Sequence, residues 1–401
     1  MSDAVADDVG ANDDRLGRWC GWVLVGLAGL TPLLAWLSPI SFAPVVGLAG
    51  LLCLPAFRVR PSEAPLAIVL LAGLAWAALS TLWSPHRPAL EDSVALKLFL
   101  QLPLYWSAWC GARRAAPAVR GLALRVLAWG LALYGLLLLV ETVTGAGIYR
   151  ALRDAIGDPI RPDLGRKNVA QGSFVLALLW PVAAVGGYRA GAPALLALPM
   201  ALGTAFLANR FLSDAPVIAV GLALLTGALV WVWPRSAPRA MGIAAAAGVL
   251  IMPAIFLFMA GFGVKLSLPL SWAERLSYWM YATGRIGEHP WRGWGLDASR
   301  AFSPYIQLHP HNGPLQLWLE LGVLGAAAAA LAWIFAFRRL ARDERSLVAA
   351  ATAGSAAVYL FFGAISFGVW QEWWLSLAAL VAVAGAMADR EDADHRRPIR
   401  T

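Results

Sequence analysis

Run after run of this 401-residue sequence stays apolar for about 18 residues or more, long enough for a helix to cross the hydrocarbon core of a bilayer. That feature decides the fold class. In hydrocarbon, every backbone N–H and C=O must be satisfied inside the protein, and these runs are too long for barrel strands, so helices are expected. The chain reads as an all-α, polytopic membrane protein with about twelve transmembrane helices. They lie near residues 19–37, 40–57, 64–83, 94–111, 119–141, 168–188, 193–209, 214–233, 241–261, 313–337, 347–368 and 372–387. Charged residues make up 14% of the chain, against about 25% in a soluble protein. The 20 tryptophans suit interfacial belts.

The formal charge of +8 does not point to nucleic acid, because many arginines sit in short loops between spans, where they set topology. With the N-terminus inside, the inner loops carry Arg58 and Arg60; Arg113, Arg114 and Arg120; Arg189; Arg235 and Arg239; then Arg338, Arg339, Arg342 and Arg345. Short outer turns near Pro39 and Trp370 have no Lys or Arg. The positive-inside rule then puts both ends in the cytoplasm. The acidic start lacks the basic region of a cleavable signal, so the first run is expected to be a retained span. Cys20, Cys53 and Cys110 lie within apolar stretches and show no metal-ligand spacing, so neither a disulfide framework nor a zinc site is implied. No phosphate-binding loop or zinc-protease motif occurs, so neither ATP coupling within the chain nor a metal or other cofactor is expected.

Two outer segments are long and basic. At 145–167 stand Arg150, Arg153, Arg161, Arg166 and Lys167, with Asn168 opening the next span. Within it, Ile148, Tyr149, Leu152 and Ile156 recur at helical spacing, as in a helix lying on the membrane. The second segment, between spans nine and ten, holds most of the residues able to do chemistry.

In that segment a helix is expected over 272–286. Arg275, Tyr278 and Arg285 fall within an arc of about 80° beside Trp272, Leu276 and Trp279. The arginines could grip a diphosphate by paired, charge-assisted hydrogen bonds, or simply bind lipid head groups. A turn-rich run from Glu288 to Gly295 adds Arg292. Next come His309-Pro-His311-Asn312-Gly313-Pro314, where Asn312 or His311 could cap the tenth span. The positive helix end favours an anion, and His311 beside it suits a general base or hydrogen-bond donor. His309 reads as a neighbour without a role. Asn312, Gln316 and Glu320 are four apart on one face, with Glu320 suited to an interhelical hydrogen bond. Arg210, at the junction of spans seven and eight, and Arg166 lie at the same outer level.

These residues resemble the O-antigen ligase family, within the wider group that includes O-antigen polymerases and O-linked oligosaccharyltransferases. His311-Asn312, nine residues, then Gly322 and Gly325 matches the family's pattern. Arg275, Trp279, His289-Pro290 and Gly293-Trp-Gly295 look like its loop arginine and Pro-x-Gly-x-Gly turn. The resemblance implies metal-independent, inverting glycosyl transfer at the periplasmic face of the bacterial inner membrane. The implied donor is a glycan on undecaprenyl diphosphate, and the implied acceptor is lipid A–core oligosaccharide or another glycan. His311, Arg275 and Arg210 would then be catalytic, with Arg166, Asn168, Tyr278, Arg285, Arg292 and Asn312 binding substrate. Where the family shows a Ser-Arg pair, this chain reads Ser213-Asp214, with Arg210 three residues earlier.

The layout expected on this basis has a cytoplasmic tail at 1–18, then nine spans over 19–261, with an interfacial segment at about 145–167. A periplasmic catalytic loop at 262–312 leads to three more spans over 313–387 and a cytoplasmic tail at 388–401. An O-antigen or exopolysaccharide polymerase would use the same residues. A transporter or flippase of lipid-linked glycans would instead place charges deep within several spans. A non-catalytic assembly protein would not need His311.

Overall fold

The computed structural model describes residues 2–211, 213–262 and 269–395. Part of the outer loop (263–268, with Lys265) and the tail arginines Arg396, Arg397 and Arg400 lie outside them. The described chain is helical, with no strand. The helices are α1 (Ser2–Leu37), α2 (Phe42–Leu52), α3 (Ala64–Ser80), α4 (Val94–Arg114), α5 (Pro117–Thr144), α6 (Gly147–Ala155) and α7 (Pro162–Arg189). They continue as α8 (Ala197–Arg210), α9 (Asp214–Val232), α10 (Ser236–Gly261), α11 (Leu270–Glu288), α12 (Gly313–Arg338), α13 (Leu347–Ile365) and α14 (Glu372–His395).

Among the described residues, nine of these are long and apolar enough to cross a membrane: α1 from Asp14, α3, α5, α7, α9, α10, α12, α13 and α14. The chain is a multi-pass membrane protein. The other three expected spans are also helices, but fall short. α2 has 11 residues and α8 has 14, whereas about 20 are needed to span. α4 reaches 21 residues but carries Lys97, Gln101, Arg113 and Arg114. The surface segment at 145–156 forms α6, whose N-terminal amides at Ile148 and Tyr149 are held by the carboxylate of Glu141.

The core divides in two. Leucine, valine and alanine side chains of α1, α5, α7, α13 and α14 form one large buried cluster. Smaller clusters join α11 to α12 and α3 to α12. α3 and α12 also share both ends. At one end, buried Glu63 binds Arg113 and lies 3.6 Å from Arg339, just past α12. At the other, Ser80 Oγ accepts from the Leu296 N–H at 2.9 Å, and Ser84 Oγ donates to the Leu296 carbonyl at 2.8 Å. The outer segment and the arginine-bearing connections therefore sit at opposite ends of the bundle, about 25 Å apart for the 17 residues of α3.

Candidate active site

The site is built on the first turn of α12. Asn312 caps it, its side-chain oxygen accepting from the Leu315 N–H at 3.0 Å. Immediately before the cap, His311 takes a left-handed backbone, φ 54°. Three contacts hold that conformation. Trp279 Nε1, on α11, donates to the Pro310 carbonyl at 2.8 Å. The His311 N–H donates to His309 Nδ1 at 3.1 Å. His311 Nδ1 lies 2.8 Å from the Ser366 carbonyl, at the end of α13.

The last contact determines the tautomer. A carbonyl oxygen can only accept, so Nδ1 carries the proton and Nε2 presents a lone pair. Burial lowers the pKa of His311, and the Arg275 charge lowers it further, against an opposing effect of the Ser366 bond. The ring is thus a neutral base near pH 7. His309 is buried more deeply and is pushed down to about 3 by burial, with smaller effects from His311 and Arg300. It stays neutral as a fixed acceptor, so it positions His311 rather than standing idle beside it.

α11 supplies the neighbours. The Tyr278 ring stacks on His311, with centroids 6.4 Å apart at 22°. Arg275, one turn earlier, is half-buried, lies 5.3 Å from the Trp272 ring centroid, and makes no ion pair among the described residues. Burial alone pulls its pKa down. A desolvated guanidinium without a carboxylate, beside a neutral histidine, suits an anionic ligand.

The other expected residues are placed differently. Arg285 is turned into the loop, bound to Glu288 at 2.6 Å and packed on Trp294 (4.1 Å) and Phe302 (4.9 Å). Arg292 lies over Trp83 at 5.7 Å. Asn168 donates to the Tyr149 hydroxyl at 3.3 Å, close to exposed Arg166. Arg210 is exposed at the end of α8, which packs mainly on α5, α7 and α9 rather than on α12. The Phe174 ring meets Phe362 and Phe367 at 4.8 and 5.3 Å, so the start of α7, with Arg166, lies at the Ser366 end. α8 returns against α7, which brings Arg210 to the same end without touching His311.

Behind the site, α12 is broken. Gly322 has φ 63° within an otherwise helical run, which frees backbone groups that lipid could not satisfy. The loop takes them up. Trp294 N–H donates to the Leu319 carbonyl and Gly295 N–H to that of Glu320, both at 2.8 Å. Val323 N–H donates to the Pro290 carbonyl at 2.9 Å, and Trp76 Nε1 to that of Leu321 at 2.9 Å. Contact is backbone to backbone. A Cβ on Gly322 would sit 2.3 Å from the Trp291 carbonyl oxygen, and one on Gly293 would sit 2.3 Å from that of Glu320. The turn from Pro290 through Gly293 and Gly295, with two residues between the proline and the first glycine, and the glycine after the nine-residue spacer are two halves of one junction.

The buried Glu320 carboxylate completes it, accepting from Asp297 N–H (2.7 Å), Ser299 Oγ (2.5 Å), Gln316 Nε2 (3.0 Å) and Trp370 Nε1 (2.6 Å). It ties loop, helix and the α13–α14 turn together. Sequence reasoning missed the participation of that turn through Ser366, Trp370 and Gln371, whose Nε2 lies 3.2 Å from His309 Nε2. Its signal was small: a Gly and a polar pair between two apolar spans. Among the described residues, no group of three or more His, Cys, Asp or Glu could hold a metal ion.

A family model described as O-antigen ligase matches residues 196–330, from the start of α8 through most of α12. Three provisionally named polysaccharide ligases are similar in part. That of Rickettsia conorii is 29% identical over 125 residues, 28% of this chain and 30% of the relative. That of Rickettsia prowazekii is 31% identical over 117 residues, 26% and 29%. That of Rickettsia felis is 29% identical over 126 residues, 28% and 31%. The matched stretch thus spans only about 30% of these relatives' own length. Histidine, loop arginine and glycine junction all fall inside residues 196–330, the segment that matches the O-antigen ligase family model.

Proposed function

We propose that this chain is a metal-independent glycosyltransferase that moves a glycan from undecaprenyl diphosphate to an acceptor hydroxyl at the periplasmic face of the inner membrane. The favoured reaction is O-antigen ligation onto lipid A–core. The observation that carries the reading is the pairing of a neutral His311, with Nε2 free to accept, and a half-buried Arg275 that has no carboxylate partner among the described residues.

In this mechanism the acceptor hydroxyl attacks the anomeric carbon of the donor sugar, and His311 Nε2 takes its proton. The bond from that carbon to the diphosphate oxygen breaks, and configuration inverts. Charge grows on the departing diphosphate, where Arg275 and the positive end of α12 stabilise it. Tyr278 keeps the imidazole in plane, and Asn312 holds the helix end that carries it. Arg166, Asn168 and Arg210 line the approach of the lipid-linked donor, and Arg285 and Arg292 brace the loop. Separation of this end from the arginine-rich connections supports a periplasmic site with both termini cytoplasmic.

The test is lipopolysaccharide and lipid-linked glycan from a deletion strain complemented with wild type, His311→Ala or Arg275→Ala. Ligation predicts that both variants lose long-chain lipopolysaccharide while polymerised glycan accumulates on the carrier. Core bearing a single repeat would instead mean a polymerase. Wild-type profiles from both variants would remove the site assignment and leave a transporter or assembly role.

A further inference from the structure

At the end of the bundle away from His311, a cavity of about 340 Å³ opens between α1, α4, α14 and the connection before α3. Arg58, Arg60, Arg113, Arg114 and Arg390 line it, and among the described residues Asp14 is the acidic side chain on its wall. The residues come from separate stretches of sequence, so their convergence is a property of the fold. Pro117 lies on the wall, where the 28-residue α5 begins and points the positive end of its dipole inward.

The positive-inside rule asks for basic residues at this end but not for this arrangement. Elsewhere at the same end, arginines meet acids: Arg235 binds Asp343 at 2.5 Å, Arg342 binds Asp389 at 3.0 Å, and Arg339 lies 3.6 Å from Glu63. In the cavity that pairing is less complete among the described residues. Arg113 is bound to Glu63, whereas Arg58, Arg60 and Arg390 make no ion pair among the described residues. Arg60, though exposed, is held below the usual arginine range by partial desolvation and then by repulsion from Arg113 and Arg390, against an opposing effect of Glu63. A bound anion would relieve that repulsion.

We infer that this cavity binds a phosphate-bearing anion, through two or more guanidinium forks on non-bridging oxygens, as the headgroup of an anionic phospholipid or as free phosphate. The site is separate from the proposed transfer chemistry and does not depend on it.

The full chain, purified in detergent, would be mixed with phosphatidylglycerol in excess phosphatidylcholine, and lipid adducts counted by native mass spectrometry. The Arg60→Gln/Arg390→Gln variant should retain phosphatidylglycerol about tenfold less, the loss expected from about 1.4 kcal/mol of binding. Arg345→Gln, whose side chain lies on Trp231 outside the cavity, should retain it fully. In a second arm, inorganic phosphate is titrated while thermal melting is followed. A rise for wild type but not the variant, without selective lipid retention, assigns free phosphate; selective retention assigns the lipid. Should the double variant misfold, Arg58→Gln, at an exposed position, takes its place. Equal lipid retention and equal phosphate response in wild type and a folded variant overturn the inference.

Discussion

The two sides of this bundle are held together by different means. Around α1, α5 and α7, small and branched apolar side chains fill one core, and helices approach until backbones meet, as where Gly203 faces the Gly135 carbonyl. Around α3, α11 and α12 the apolar clusters are small, and the contacts that decide geometry are directed: four donors on Glu320, and loop amides on the carbonyls of a broken helix. Lipid tails are as apolar as leucine, so burial drives little helix association in a bilayer, and packing energy is spread thinly over many contacts. Directed bonds concentrate their energy in a few places. The first side should therefore yield gradually to mutation and the second abruptly.

The largest effect that would sharpen this contrast is expected at His311 and Arg275. Alanine at either should cut transfer roughly 10²–10⁴-fold, the range for loss of a positioned proton acceptor. Membrane insertion should remain normal by protease protection. Arg275→Lys should also be poor, because an ammonium cannot form the two-pronged contact.

Next come Gly293→Ala and Gly322→Ala. Each puts a methyl against a carbonyl oxygen at a positive φ, a cost of about 3 kcal/mol or more, and should free the loop. Limited proteolysis within 288–302 would register it. If either alanine variant keeps wild-type protection and activity, the backbone junction does not organise the site.

Glu320→Gln should cost about 2 kcal/mol of thermal stability, since an amide turns hydrogens toward some of the donors the carboxylate satisfies. Leu131→Val, deep in the opposite core, should cost about 1 kcal/mol and leave transfer untouched. A reversed order for these two would break the comparison.

Acidity supplies a further probe. The pKa of His311 is depressed, so under the proposed base role transfer should persist through the ordinary imidazole value near 6.5 and fail only below it. His309 adds a stability effect of definite sign. The unfolded chain takes up its proton near pH 6.5, the folded chain only near about 3. Its neutral burial therefore stabilises the fold above that window and loses effect as pH falls through it. His309→Gln should flatten that slope in a melting-temperature profile.

Much of this architecture was legible in the sequence for plain reasons. Apolar length called for helices, Asn312 before Gly313-Pro314 marked the start of α12, and alternating charge separated the two ends. The break at Gly322 was not legible, because Leu321-Gly-Val323 is as apolar as its surroundings and a membrane glycine commonly signals close packing. The arc of Arg275, Tyr278 and Arg285 was sound as helical geometry. Nothing in spacing alone could show that Trp294 and Phe302 fold back to cover Arg285. The shorter α2 and α8 were overestimated because their apolar runs continue past the helix ends into turns.

The junction at Gly322 has a consequence for how such a protein can diversify. Because the loop is fastened largely through main-chain atoms, the attachment reads few of the loop's own side chains beyond its glycines, Pro290 and Ser299. Trp291, 75% exposed, and Arg292 project outward from the fastened segment. The loop is therefore a cassette: its outer lettering can be rewritten for a new ligand while the clasp that aligns His311 stays as it is.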